Sequence, residues 1–179
     1  DGNELDSLLL TALECNKPFC IRYPKSNSLA YDFNQEKKVL DIGSWQKIIE
    51  GEKVAILSVG SMVEIGSKSV IKIKEKFNFT PTVVNCRFIK PLDEKMLLNL
   101  KEKHNFVITI EEGTVKGGFG TSVLSFYNDN NCKIKIHNLG ISDNFVEHGT
   151  RQELLDIVNL NENKIIDLIE NHIKYEKNK

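Results

Sequence analysis

From residue 39 onward, short apolar runs alternate along the chain with segments whose apolar residues recur at helical spacing. Residues 54–59, 82–86 and 106–110 are predominantly apolar runs, whereas 61–77 and 92–100 repeat their apolar residues every three or four positions. Runs that are apolar on both faces are typical of strands buried in a parallel sheet between two layers of helices. Because crossovers between parallel strands are right-handed, the pattern predicts a three-layer α/β/α sandwich around a mostly parallel, open sheet.

The same alternation continues to the end of the chain. We expect a helix over residues 117–128 and a strand over 133–139, followed by two short closing helices. Thr150 and Glu153 have the spacing of a capping box at the start of the first of these helices, and Asn161 is the expected cap of the second.

The first part of the chain has a different character. Residues 4–14 have helical spacing, residues 19–23 have a strand-like pattern that ends at Pro24, and residues 24–38 are polar and rich in turn-forming residues. One helix and one strand cannot bury a core of their own. We therefore interpret residues 1–23 as the end of a preceding α/β domain, 24–38 as a linker and 39–179 as the main domain. The helix and strand of residues 1–23 must either dock on a structure outside this chain or pack on the main domain.

Composition and spacing exclude several classes of function. A formal net charge of −1, from 24 basic and 25 acidic residues, argues against nucleic-acid binding through phosphate contacts. No apolar run reaches the roughly 18 residues needed to span a bilayer, so we predict no membrane partner. The four cysteines form no Cys-x-x-Cys pair and the four histidines have no metal-ligand spacing, so no metal site is predicted in this chain.

Two groups of residues are candidates for a site at the carboxyl edge of the sheet. Arg22 and Lys25 flank the rigid Tyr-Pro dipeptide at the end of the first expected strand. Two cations in this arrangement suit an anion such as a phosphate monoester, and a solvated strand end explains the same residues equally well.

The second group follows the strand expected over 106–110. Glu111 and Glu112 end this strand and precede the glycine cluster Gly117, Gly118 and Gly120. Adjacent residues of a strand point to opposite faces, so the two carboxylates are not a shared acid/base pair, and one of them is expected to accept amide protons of the glycine-rich loop. The glycines indicate either tight packing or a contact with a ligand or another domain.

Four segments together resemble one enzyme family. They are Ile21-Arg-Tyr-Pro-Lys25, Arg87-Phe-Ile-Lys-Pro-Leu-Asp93, Glu111-Glu-Gly followed by Gly117-Gly-Phe-Gly120, and Leu139-Gly-Ile-Ser-Asp-Asn-Phe-Val-Glu-His-Gly149. In order and spacing they are similar to the C-terminal part of the 1-deoxy-D-xylulose-5-phosphate synthases, which are transketolase-like thiamine-diphosphate enzymes. The C-terminal domain of a transketolase, a 2-oxo-acid dehydrogenase β-type subunit and a free-standing anion- or partner-binding module are the alternatives.

The resemblance implies a reaction and its cofactors. The family condenses pyruvate with D-glyceraldehyde 3-phosphate and releases carbon dioxide, using thiamine diphosphate and Mg²⁺ in isoprenoid, thiamine and pyridoxal synthesis. The ligands of both cofactors and the catalytic glutamate belong to upstream domains, so the resemblance implies no catalytic residue, bound cofactor or activity in this chain alone. It also implies a homodimer, located in a plastid in a eukaryote and otherwise in the cytoplasm.

The resemblance also assigns roles to individual residues. Residues 1–23 correspond to the end of the pyrimidine-binding middle domain, and 39–179 to the C-terminal domain. Lys25, with Arg22, would bind the phosphate of the aldehyde; Lys25 replaces the usual arginine and so lacks a bidentate fork. Glu111, Glu112 and the loop that contains Gly117, Gly118 and Gly120 would serve an interdomain or dimer contact.

Overall fold

The computed structural model describes residues 1–24 and 31–178, and they form a three-layer α/β/α sandwich. The sheet has the order β1-β3-β2-β4-β5, and its neighbouring strands are parallel except for the antiparallel pair β1–β3. The strands are β1 (Gln46–Ile49), β2 (Lys53–Ser58), β3 (Thr82–Asn85), β4 (His104–Thr114) and β5 (Lys135–Ile141). The helices are α1 (Gly2–Glu14), α2 (Met62–Phe77), α3 (Glu94–Lys103), α4 (Phe119–Asp129), α5 (Arg151–Ile157) and α6 (Glu162–Lys177).

Each face of the sheet carries its own apolar core. On one face, α2, α5 and α6 cover a cluster that includes Ile56, Val83 and Ile108. On the other face, α3 and α4 cover a cluster that includes Leu57 and Val107. The alternation of successive strand residues between these two clusters explains why β2, β3 and residues 104–111 of β4 are buried at almost every position. The predicted fold class is confirmed.

Two strand assignments need correction. Residues 19–23, predicted as a strand, belong to no strand in the part of the chain that the structure describes. A strand is stabilised by hydrogen bonds to a neighbouring strand, and here Phe19 instead packs edge-on against Phe88 with ring centroids 6.3 Å apart. Conversely, β1 was not predicted, because its burial pattern is mostly exposed and its sequence has no apolar alternation.

The N-terminal helix buries its polar face against residues 31–40, and its Leu8 packs against the second core. Asn3, Ser7 and Thr11 are buried on α1, one turn apart. They hydrogen-bond to residues of 31–40: Asn3 exchanges two bonds with the backbone of Asp32, and the Thr11 hydroxyl accepts the amide of Leu40 at 2.8 Å. Residues 31–40 therefore lie along the polar face of α1.

Candidate functional site

The described members of the two predicted groups meet at the carboxyl end of β4, the position where open α/β sheets usually bind ligands or partners. Glu111 and Glu112 lie at this end of the strand, and the register between β4 and β5 is irregular between Ile110 and Thr114. Arg22 from the N-terminal segment reaches the same place. The structure therefore brings together residues separated by 90 positions in the sequence.

Glu111 is an internal cap for α4. Its side chain is buried. One carboxylate oxygen accepts the amide N–H of Phe119 at 2.9 Å, and the other accepts that of Gly120 at 2.9 Å. Gly118, the residue before α4, provides no side-chain cap. Glu111 thus satisfies two backbone donors of the first helical turn and places its negative charge at the positive end of the helix.

Two glycines of the cluster are required by close packing. A Cβ on Gly118 would lie 2.1 Å from the carbonyl oxygen of Thr114 and 2.7 Å from both carboxylate oxygens of Glu111. A Cβ on Gly120 would lie 2.5 Å from the Thr109 hydroxyl oxygen. Gly117 differs, because it has a φ of +73° and no atom lies within 4 Å of the Cβ position.

Glu112 organises a second set of contacts, which we name the carboxyl-edge cluster: Glu112, Ser61, Arg151 and Arg22. The Glu112 carboxylate accepts hydrogen bonds from the Ser61 hydroxyl at 2.9 Å and from Arg151 Nη2 at 2.8 Å. Arg151 Nη2 also donates to the Ser61 hydroxyl at 3.0 Å. Because Ser61 precedes α2 and Arg151 begins α5, one carboxylate connects the starts of two helices to the end of β4.

Opposing effects act on the acidity of Glu112. Partial burial raises its pKa, but hydrogen bonds from Arg151 and Ser61, with the positive charges of Arg151 and Arg22, outweigh this effect and lower the pKa below its usual value. Glu112 is therefore ionised at neutral pH. As an ionised group that is already hydrogen-bonded to protein, it is suited to holding elements in place rather than to accepting a proton.

Arg22 contributes to the cluster through the backbone of β4. Its Nη2 donates to the carbonyl oxygen of Glu112 at 2.8 Å, and the residue is otherwise exposed. Lys25, the other residue predicted to bind phosphate, lies outside the described residues.

A second loop lies beside the glycine loop, which we define as residues 113–120. Residues 142–150 are all exposed, and the side chain of Phe145 has a relative exposure of 107%. We name residues 142–149 the outer loop. It is joined to the glycine loop by an ion pair between Lys116 and Asp143 at 2.9 Å. Next to this pair, the amide of Val115 in the glycine loop donates to the carbonyl of Ile141, the last residue of β5, at 3.0 Å.

A cavity of about 420 Å³ lies between the outer loop and the end of α5; Phe145, Val146, Ile157 and Val158 form the apolar part of its lining. The two loops therefore form one continuous surface with exposed apolar side chains.

Comparisons with known proteins identify the fold family. A family model described as the transketolase C-terminal domain matches residues 43–165. The chain belongs to this family.

Curated relatives of this transketolase C-terminal domain carry a more specific name. A protein named 1-deoxy-D-xylulose-5-phosphate synthase from Geobacillus sp. (strain WCH70) is 37% identical over 171 residues, which are 94% of this chain and 27% of the relative. One with the same name from Aquifex aeolicus (strain VF5) is 36% identical over 97% of this chain and 27% of the relative. The resemblance inferred from the sequence is confirmed. The domain spans about a quarter of the length of these relatives.

Solved structures agree with the family. A split-gene transketolase, described as an inactive beta4 tetramer, has a TM-score of 0.68 and 26% identity, covering 74% of this chain and 43% of that one. A transketolase from Campylobacter jejuni, with a TM-score of 0.54 and 20% identity over 76% of this chain and 21% of that one, shares the fold.

The sequence did not predict that Ser61 and Arg151 contact Glu112 in this transketolase C-terminal domain. They lie 51 residues before and 39 residues after Glu112, and neither has a neighbouring motif that indicates a shared contact. The capping box at Thr150 and Glu153 is present, and it indicated only that a helix begins at Arg151.

The described residues of the domain do not fit the cofactors that the family resemblance implies. Within 1–24 and 31–178, no three His, Cys, Asp or Glu side chains come together in a way that could hold a metal ion. Glu111 and Glu112 use their oxygens on α4 amides, Ser61 and Arg151. We therefore derive no catalytic step through Mg²⁺ or thiamine diphosphate from these residues.

None of the described helices is long and apolar enough to cross a bilayer.

Proposed function

We propose that this chain is the C-terminal part of a thiamine-diphosphate-dependent synthase. The complete enzyme would condense pyruvate with D-glyceraldehyde 3-phosphate to 1-deoxy-D-xylulose 5-phosphate and carbon dioxide. The observation that carries this proposal is the 37% identity, over 94% of this chain, to a relative named 1-deoxy-D-xylulose-5-phosphate synthase. In a eukaryote the enzyme would work in a plastid and in a bacterium in the cytoplasm.

The cofactors of the proposed reaction would be held outside this chain. Thiamine diphosphate supplies the carbanion chemistry when it is bound, and Mg²⁺ anchors its diphosphate. This chain spans 27% of the relative from Geobacillus, which leaves most of such an enzyme to supply those ligands. We accordingly expect the isolated chain to be inactive.

The role proposed for this chain is to hold the other parts of the enzyme in place. The first support is α1, whose polar face is buried while Leu9 and Leu13 remain 48% and 82% exposed. A helix that exposes two leucines one turn apart is suited to a further apolar partner. The proposed partner is the upstream pyrimidine-binding domain, of which α1 would be the last helix.

The second support is the surface formed by the glycine loop and the outer loop. Phe145 is fully exposed beside the cavity that Val146 and Ile157 line. Exposed aromatic side chains next to a pocket are typical of the centres of protein interfaces. We propose that this surface contacts the upstream domains or the second subunit of a homodimer, and that Glu111 and Glu112 shape it without taking part in the chemistry.

Carbon dioxide release tests this proposal. The 179-residue chain and the same chain with its native upstream sequence would be given pyruvate, thiamine diphosphate and Mg²⁺, with and without D-glyceraldehyde 3-phosphate. We expect aldehyde-dependent release only from the longer protein, which light scattering should show to be a dimer. Release from the short chain would contradict the location of the active site, and no release from either would contradict the proposed reaction.

A transketolase remains the alternative activity, because the structure most similar in fold among those described above is a split-gene transketolase. Substrate profiling of the longer protein separates the two. A transketolase transfers a two-carbon unit from a ketose donor, whereas the proposed synthase requires pyruvate. Turnover with a ketose phosphate donor and none with pyruvate would favour the transketolase.

A further inference from the structure

Residues 87–93, one of the four segments that carry the family resemblance, follow β3 and are held at both ends. Arg87 donates from Nε to the carbonyl oxygen of Ser44 and from Nη2 to its hydroxyl, both at 2.9 Å. One carboxylate oxygen of Asp93 accepts the amide of Trp45 at 2.8 Å, and the other accepts the amide of Met96, in the first turn of α3, at 2.9 Å. The segment therefore has a fixed position beside the carboxyl end of β3.

Helix α1 reaches this position through Glu4. One oxygen of its carboxylate accepts a hydrogen bond from the side-chain amide of Asn85, the last residue of β3, at 2.8 Å and lies 3.9 Å from Arg87 Nη1. The side chains of Arg87 and Glu4 are 16% and 20% exposed, so water and salt screen their attraction less than that of a surface pair. We name Glu4, Asn85 and Arg87 the α1 joint.

Asn85 is a costly residue at the end of a buried strand. It is itself buried, and its Oδ1 makes no hydrogen bond among the residues that the structure describes. A buried amide with an unsatisfied acceptor destabilises a fold unless its donor makes a compensating contact. The bond donated to Glu4 is such a contact. Asn85 therefore serves the attachment of α1 rather than the packing of β3.

The α1 joint differs from the other described contacts of α1, because it reaches the sheet with a directional bond. The buried polar side chains of the helix bond to residues 31–40, which precede the sheet. Leu8 packs against the second core, but an apolar contact has no preferred direction. Glu4 is thus the residue that fixes the orientation of α1 relative to β3.

We propose that the carboxyl end of β3 is the docking site of the helix that precedes the domain, with Glu4, Asn85 and Arg87 as its positioning residues. Asn85 supplies the short hydrogen bond, and Arg87, held by Ser44, supplies the positive charge. In one respect the inference rests on the proposed function. There α1 is the last helix of the pyrimidine-binding domain, so the α1 joint fixes the orientation of that domain relative to the sheet.

Amide hydrogen exchange of the 179-residue chain tests the α1 joint. Glu4→Ala and Asn85→Ala should each lower the protection of the α1 amides roughly 10-fold and that of the β4 amides by less than about twofold. Glu4→Gln keeps an acceptor for Asn85 and should retain protection within about threefold of the wild type. Because Glu4 and Asn85 act through one bond, the double variant should lose no more than the more affected single variant. Glu14→Ala, which removes an exposed carboxylate from the same helix, is the control and should stay within about twofold of the wild type.

Three outcomes of the exchange measurement would overturn the proposal. Unchanged protection of α1 in Glu4→Ala and Asn85→Ala would show that Leu8 and residues 31–40 hold the helix without the joint. Equal losses in α1 and β4 would show that the helix opens only when the whole domain unfolds. Multiplication of the two single effects in the double variant would show that Glu4 and Asn85 do not act through their shared bond.

Calorimetry of the protein with its native upstream sequence tests the role of the joint between domains. We expect one unfolding transition in the wild type and in Glu14→Ala, and two separate transitions in the double variant Glu4→Ala/Asn85→Ala, because domains without a fixed joint unfold independently. A single transition in the double variant would show that the joint does not couple the two domains.

Neither measurement needs a substrate or a cofactor, so their outcomes are separable from the test of the proposed reaction. Loss of α1 protection, with no carbon dioxide release from the longer protein, would support the joint and contradict the reaction. Aldehyde-dependent release, with unchanged α1 protection in the variants, would support the reaction and overturn the joint.

Discussion

At the scale of single residues, Glu111 and Glu112 show how two adjacent carboxylates acquire different tasks. Because successive side chains of a strand point to opposite faces, Glu111 turns inward to the first turn of α4, and Glu112 turns toward Ser61 and Arg151. The sequence predicted this separation and one carboxylate that accepts loop amides. It could not predict that Glu112 joins two helix starts.

The inward carboxylate leads to a prediction on stability. Glu111→Ala in the 179-residue chain would leave the amides of Phe119 and Gly120 without their acceptor inside the protein. We expect it to lower the free energy of unfolding by about 2 kcal/mol, and Glu111→Gln, which keeps one acceptor, by about half of that. Urea denaturation measures both. Glu75→Ala on the exposed side of α2 is the control and should stay within about 0.5 kcal/mol of the wild type; an equally small change in Glu111→Ala would contradict the capping role.

At the scale of secondary-structure elements, the sequence reports burial better than it reports pairing. The strands β2, β3 and β4 were predictable because apolar residues face both cores, and α5 because Thr150 and Glu153 form a capping box. The edge strand β1 exposes most of its residues, so no pattern distinguished it from a loop. Residues 19–23 have strand-like composition, but no described strand pairs with them. Pairing depends on neighbours in space, which periodicity cannot show.

The junction of α3, β3 and β4 contains a buried histidine that gives a pH-dependent prediction. His104 is buried, with Nδ1 donating to the carbonyl of Leu100 at 2.8 Å and Nε2 at 2.8 Å from the Thr82 hydroxyl. Burial lowers the pKa of His104 from its usual 6.5, because the charged imidazolium loses its hydration. Below about pH 6.5, therefore, the unfolded chain binds a proton that the folded chain does not, and stability falls as the pH drops toward the folded-state pKa.

Replacement of His104 by glutamine should remove this contribution. The wild-type chain should lose more unfolding free energy between about pH 7.5 and about pH 5.5 than His104→Gln does, although the variant is less stable at the higher pH. Urea denaturation at both pH values measures the difference. His148→Gln, in the exposed outer loop, is the control and should follow the wild type. Parallel pH profiles for wild type and His104→Gln would mean that His104 titrates alike in both states.

At the scale of the whole molecule, α1 is turned opposite to the usual arrangement of a surface helix. Asn3, Ser7 and Thr11 are buried and hydrogen-bond to the backbone of residues 31–40, while Leu9 and Leu13 face outward. In a self-sufficient domain an amphipathic helix buries its apolar side. The orientation is understandable if the chain is one part of a larger protein, as its coverage of 27% of the Geobacillus relative indicates.

The double variant Leu9→Glu/Leu13→Glu tests this directly, because its effect should depend on the length of the protein. In the 179-residue chain both side chains already contact water, at 48% and 82% exposure, so we expect a change in unfolding free energy within about 1 kcal/mol. In the protein with its native upstream sequence, two buried leucines would be worth about 1.5–3 kcal/mol each, and the melting temperature should fall by several degrees. Calorimetry of both lengths measures the difference, with Leu98→Glu on α3, 43% exposed, as the control that should behave alike in both. If the double variant is equally harmless in the longer protein, the leucine face of α1 has no partner there, and the upstream domain must attach elsewhere.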